Sequence, residues 1–223
     1  MKDYYDITGF FDALSDVDYT ILRNHEVFEY GMISLDEHPD LDILCSDPDF
    51  LFAKLKLTCQ YHKDGRPFAY VNISEKKVLL DLRIVGDGYY DKNWQIDMLK
   101  SKVVHKNYNV LDDENYFYSL LYHAFIHKKA MPQDYLPRLN LLAESIGIKA
   151  DFTKRKDSLL LLELFMTDKN YKYTTNKTFQ QSLKLSNFSD VNSGMIKFDH
   201  RRLRTKLLLG PWKLIYFLKG HLK

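Results

Sequence analysis

Residues 38–50 read HPDLDILCSDPDF, and the segment DLDILC (40–45) within them decides the fold. The run is short, apolar and followed by acidic residues and a proline, so it reads as a strand leading into the start of a helix. Asp40 and Asp42 stand at i and i+2, positions that point to the same side of a strand. Two like charges side by side repel each other unless water screens both or a cation sits between them. Two readings follow: a frayed strand start with solvated aspartates, or an acidic site.

The flanking sequence supplies a sheet for this strand. Upstream, DITGFFDALSDV (6–17) spaces Ile7, Phe10, Phe11 and Leu14 as a short amphipathic helix with Asp6 as its N-cap, and YTILR (19–23) reads as a buried strand. A polar connection, NHEVFEYGMISLDEHP (24–39), joins it to DLDILC. Downstream, DPDFLFAKLKL opens a helix at Pro48. TCQYHKD, PFAYVNI and KKVLLDLRIV then read as strands, with turns at KDGRP (63–67) and SEKK (74–77). In GDGYYDKNWQIDMLKS (86–101), Gly86 and Gly88 suit either a hairpin-like turn or a substrate-lining loop.

Beyond residue 112 the pattern is helical. DDENYFYSLLYHAFIHKKA (112–130) carries a stripe of Phe117, Leu120, Leu121, Ala124 and Phe125. Two more helices follow in PQDYLPRLNLLAESIGIK, with Gly147 as its stop, and KRKDSLLLLELFMTD. The polar stretch 168–194 reads as poorly packed. The expected class is therefore α+β: a mixed sheet with flanking helices over 1–105, a helical part over 106–197 and a basic amphipathic helix over 198–223.

Composition narrows the function. A net charge of +2 over 223 residues argues against a protein built to coat nucleic acid. The 16 tyrosines and 14 phenylalanines predict an aromatic core. Cys45 and Cys59 form no C-x-x-C pair, which speaks against structural zinc. No signal-peptide pattern precedes Asp3, and no apolar run approaches the roughly 18 residues that span a bilayer, so a cytoplasmic location is expected.

The acidic reading gains from KKVLLDLRIV, which sets Asp81 in the middle of an apolar strand. Leu79, Asp81 and Arg83 share one face. A mid-strand carboxylate is disfavoured by propensity and burial, so it needs a partner. Arg83 on the same face is one. Convergence with Asp40 and Asp42 is the other, and three carboxylates on one point make a site for Mg²⁺ or Mn²⁺, hard ions that prefer oxygen and couple to phosphate. Neutralising Asp42 is then expected to leave the metal-free fold as stable as before or more so.

Taken together, YTILRN (19–24), DLDIL (40–44) and LLDLRI (79–84) resemble the polymerase-beta-like nucleotidyltransferase superfamily over about residues 5–90. That resemblance implies a small α+β unit followed by a helical domain, with Asp40 and Asp42 binding metal and Asp81 completing the second metal site or acting as base. Where most members carry Gly-Ser or Gly-Gly after the first strand, this chain has Leu22, Arg23 and Asn24. The departure resembles a divergent branch of surface-polysaccharide and phosphocholine-transfer-like enzymes, and it implies that Arg23 contacts phosphate through its planar fork. Asn24 and Arg83 would line the same substrate site. The donor implied is a nucleotide or nucleotide-activated compound and the acceptor a small molecule or carbohydrate. A non-catalytic module of the same fold, binding nucleotide or a partner protein, is the alternative.

His123 and His127 stand at i and i+4 of a helix, followed by Lys128 and Lys129. The spacing admits zinc but shows no third ligand; a satisfied helical pair, or a phosphate or sugar contact by His127 and Lys128, are the other readings. Tyr135 and Arg138 belong to the same stretch. FDHRRLRTKLLLGPWKLIYFLKGHLK (198–223) is basic and amphipathic, suited to a membrane surface or to docking on the protein. Nucleic acid is disfavoured, because no stacking platform accompanies the charge.

Overall fold

The computed structural model describes residues 3–28, 40–62, 65–128, 130–174 and 190–197. The class is α+β. Its main sheet runs β1 (Asp3–Tyr4), β5 (Pro67–Ile73), β6 (Lys76–Ile84), β3 (Asp40–Cys45), β2 (Tyr19–Ile21), β8 (Tyr108–Val110), β7 (Val103–His105), with β4 (Gln60–Tyr61) beside β5. The sheet is mixed: β3 pairs β6 in parallel, and β2–β3 and β5–β6 are antiparallel.

Alternation sorts each strand's residues onto two faces. Leu41, Ile43 and Cys45 of β3, Val78, Leu80 and Leu82 of β6, and Ala69, Val71 and Ile73 of β5 join one hydrophobic cluster. Helices α1 (Ile7–Asp12) and α2 (Pro48–Leu55) complete it with Ile7, Phe10, Phe11, Leu51, Phe52 and Leu55. Both helices start where the sequence places their caps. The Asp6 carboxylate accepts from the Gly9 N–H at 2.8 Å, and that of Asp47 accepts from the Phe50 N–H at 2.9 Å. The β5–β6 turn passes through Ser74 and Glu75, both at positive φ (51° and 65°), the two-residue geometry that matches strand twist.

The segment after Gly86 differs from a hairpin. Gly86 and Gly88 do take left-handed angles (φ 86° and 83°), but the chain then enters helix α3 (Lys92–Ser101), where the Asp91 carboxylate accepts from the Asn93 N–H at 2.8 Å. The short strands β7 and β8 follow, and the sequence-based cut after residue 105 falls between them. The chain divides into two compact units, Met1–Val85 with Gln95–Tyr116, and Gly86–Trp94 with Phe117–Lys223.

The remainder is mainly helical: α4 (Asp113–Tyr122), a π-turn over His123–His127, α5 (Tyr135–Ser145) and α6 (Arg155–Asp168), with a two-stranded pair β9 (Tyr173–Thr174) and β10 (Ile196–Lys197). The stripe of Phe117, Leu120, Leu121, Ala124 and Phe125 is buried as its spacing predicts. Helix α5 stops at Gly147 (φ 73°): the Gly147 N–H reaches the Glu144 carbonyl at 3.1 Å and the Ile148 N–H that of Ala143 at 2.8 Å, the paired bonds of a Schellman end. The stretch read as poorly packed begins with buried aromatics, Tyr171 and Tyr173, and Tyr171 stacks on Trp94. Among the described residues no helix is long and apolar enough to cross a membrane. The basic segment 198–223 lies outside the described residues.

Candidate functional site

Asp42 and Asp81 are register partners on β3 and β6, with Asp40 opposite Leu79 and Leu44 opposite Arg83. Strands lie about 4.8 Å apart, and residues in register point to one side. The two carboxylates therefore occupy neighbouring rungs of one face, to which Asp40 and Arg83 belong by alternation. The other face of the same strands carries the apolar residues packed under α1 and α2. Burying those residues forces the acids onto the opposite side.

Like charges on adjacent strands destabilise a sheet, and Asp42 and Asp81 each have a cation against them. Arg23 Nη2 lies 2.6 Å from Asp42 Oδ2, with both side chains buried. Arg66 Nη1 donates to both Asp81 oxygens, at 2.7 and 2.5 Å. His62 Nε2 stands 3.7 Å from Asp81 Oδ1, and its ring stacks on Phe68 at 4.1 Å. Phe68 is the β5 residue opposite Asp81, so it lies on the same face.

Arg23 reaches this face from the end of β2. The Leu22 N–H donates to the Asp42 carbonyl at 2.9 Å, extending the β2–β3 pairing by one bond. The chain then turns at Asn24, whose φ of +62° lies in the left-handed region that Asn tolerates better than most residues. A 3-10 turn, His25–Phe28, follows, and the Tyr116 hydroxyl donates to the Glu26 carboxylate at 2.6 Å. Asn24 thus makes a left-handed step at the end of β2, and its backbone sets the turn beside Arg23.

Hard divalent cations take oxygen ligands. Asp42 and Asp81 supply such donors on one face, and Asp40, half-buried at the strand start, adds a third on the same side. The donor chemistry suits Mg²⁺ or Mn²⁺. The geometry is set for guanidinium: among the described residues no group of three or more His, Cys, Asp or Glu side chains is gathered closely enough to hold an ion. An ion bound between Asp42 and Asp81 would share these carboxylates with Arg23 and Arg66.

No family model matches the chain, and no curated protein matches it. Among solved structures it is similar to the crystal structure of JHP933 from Helicobacter pylori, at 15% identity and a TM-score of 0.39, over 94% of this chain and 89% of that one.

His127 and Lys128 belong to the second unit. The His127 Nε2–H donates to the Tyr89 carbonyl at 3.1 Å, and its ring stacks on Tyr89 at 4.0 Å. His127 Nδ1 is 3.2 Å from His123 Nδ1, which lies 2.6 Å from the Tyr89 hydroxyl. Both rings thus have hydrogen-bond partners, and they lie in the π-helical segment. Lys128 is exposed at the end of that segment. Tyr135 is buried beside His123, and Arg138 packs over the Tyr135 ring while pairing with Asp134.

Arg66 and His62 were not among the residues singled out from the sequence. Their signal is faint but physical. Arg66 stands two residues before Phe68, so once β5 is registered against β6 it points to the side that carries Asp81.

Proposed function

We propose that this chain is a metal-dependent transferase of the nucleotidyltransferase type, moving a nucleotidyl or phosphoryl-alcohol group onto a small or carbohydrate acceptor. The observation that carries the reading is the in-register apposition of Asp42 and Asp81 on one face, with Arg23 and Arg66 against them. Bound Mg²⁺ or Mn²⁺ supplies charge neutralisation at phosphate oxygens. Asp42 and Asp81, with Asp40 beside them, are the residues to hold it. Arg23 orients phosphate through its planar fork, with Asn24 fixing the turn that presents it. Asp81 also suits the role of accepting the acceptor's proton.

A surface-polysaccharide acceptor is supported by analogy with the divergent branch alone. A nucleotide donor supports a cytoplasmic site of action, and the composition of 198–223 supports a contact with the membrane surface.

One observation favours a second reading, a non-catalytic module that binds nucleotide or a partner protein: each facing carboxylate already has its guanidinium. The test is titration of Mn²⁺-complexed ribonucleoside triphosphates into wild type, Asp42→Asn and Asp81→Asn, with pyrophosphate release followed in parallel. Binding lost in both variants supports the site, and retention in both overturns it. With a carbohydrate acceptor, release of pyrophosphate from a triphosphate, or of nucleoside monophosphate from a nucleotide-activated alcohol, separates the transferase from the module.

A further inference from the structure

We propose that Arg23 and Arg66 are exchange partners: each holds its carboxylate in the ligand-free protein and passes to phosphate when a divalent cation takes Asp42 and Asp81. The proposal rests on the function just given and adds to it a coupling between metal and phosphate. Its basis is that the two pairs match one to one on one sheet face. Arg23 is on Asp42 at 2.6 Å, and Arg66 is on both oxygens of Asp81 at 2.7 and 2.5 Å.

A dication at these carboxylates stands within a few ångströms of two fixed positive groups. Repulsion on that scale, in a site where Arg23 is 5% and Arg66 11% exposed, is weakly screened. Cation and guanidinium therefore compete, through this repulsion, for the same two carboxylates. The displaced guanidiniums stay at the face, because their backbones are fixed. Arg23 follows the Leu22 N–H bond to β3, and Arg66 precedes Pro67, which holds it to extended geometry at the start of β5. A long side chain on a fixed backbone can turn from carboxylate to phosphate without moving the sheet. Phosphate that accepts the freed guanidiniums stabilises the metal-bound arrangement, and by linkage the metal raises phosphate affinity by the same factor. Asp81 retains His62 at 3.7 Å while Arg66 is away.

The experiment measures Mn²⁺ alone, by its electron paramagnetic resonance signal, in wild type, Arg66→Ala and Arg66→Lys. It then measures the Mn²⁺ complex of an α,β-methylene nucleoside triphosphate in the same three proteins. Exchange predicts effects of opposite sign. Arg66→Ala binds Mn²⁺ alone about tenfold more tightly, having lost the competitor, and binds the Mn²⁺–nucleotide complex about tenfold more weakly, having lost the phosphate contact. Arg66→Lys shifts both in the same directions by less, and it decides the matter if Arg66→Ala does not fold. Unchanged or weaker Mn²⁺ binding in the variants, with the wild type binding nucleotide normally, overturns the exchange and leaves the proposed function standing. No Mn²⁺–nucleotide binding in wild type overturns both.

Discussion

Arg23 Nη2 and Asp42 Oδ2 are 2.6 Å apart, and their side chains are 5% and 8% exposed. This burial reverses an expectation drawn from sequence alone. Repulsion from Asp40 makes loss of the Asp42 charge look harmless, but the structure gives that charge a buried counter-ion. Asp42→Asn should therefore destabilise the metal-free protein by about 1.5–3 kcal/mol, the range for a hydrogen bond to a charged group. Denaturant melts in chelator measure it. An unchanged midpoint would mean that water reaches the pair and screens it.

Arg23 itself separates a charge from a fork. If it passes to phosphate, Arg23→Ala should weaken Mg²⁺–nucleotide binding by roughly ten- to a hundredfold, the equivalent of about 1.5–3 kcal/mol. Arg23→Lys should recover only part, since a point charge cannot reproduce a planar donor pair. Calorimetric titration of the three proteins decides it, and equal affinities would reduce Arg23 to a partner of Asp42 alone.

Alkaline titration tests the packing. Burial pushes the Tyr122 phenol up to about 12 and raises Tyr19 and Tyr173 as well. In an unfolded chain these groups ionise near pH ~10. Because the folded value is the higher one, the Tyr122 contribution is fully present below pH ~10 and is lost as pH rises from there to about 12, at about 1.4 kcal/mol per pH unit. Tyrosinate absorbance should show a subset of the 16 tyrosines ionising only as circular dichroism is lost. Complete ionisation with the dichroism intact would contradict their burial.

Gly147 tests the helix end. Its φ is 73°, and a Cβ there would meet nothing within 4 Å, so the cost of Gly147→Ala is backbone strain without a clash. A loss of about 1–2 kcal/mol is expected in equilibrium unfolding. A neutral result would mean that α5 can end another way.

What the sequence shows of this fold follows from how local each signal is. DLDILC and LLDLRI declare themselves by alternation, because burying Leu41, Ile43, Leu80 and Leu82 leaves Asp40, Asp42 and Asp81 one side to occupy. The caps at Asp6 and Asp47 and the stop at Gly147 are equally local. β7 and β8 are not: each has three residues, too few for a period, and they are strands because β8 pairs with β2 on one side and with β7 on the other. The stripe of α3, with Trp94 and Met98 buried at i and i+4, is short and follows two glycines that suggest a turn. Arg66 and His62 owe their place to the register of β5 on β6, which no window of sequence contains.

The pairing of β2 with β8, Ile21 opposite Val110, has a consequence for biosynthesis. The strand that delivers Arg23 leaves the ribosome early, and its second neighbour follows only when Val110 emerges, several seconds later at about 5–20 residues per second. Until then one flank of β2 offers bare peptide groups to any other nascent chain, the usual seed of misassembly. A chain cut at residue 105 never acquires β8 and keeps that flank open permanently. Its tendency to aggregate would come from a missing neighbour, with every residue of the acidic face still in place.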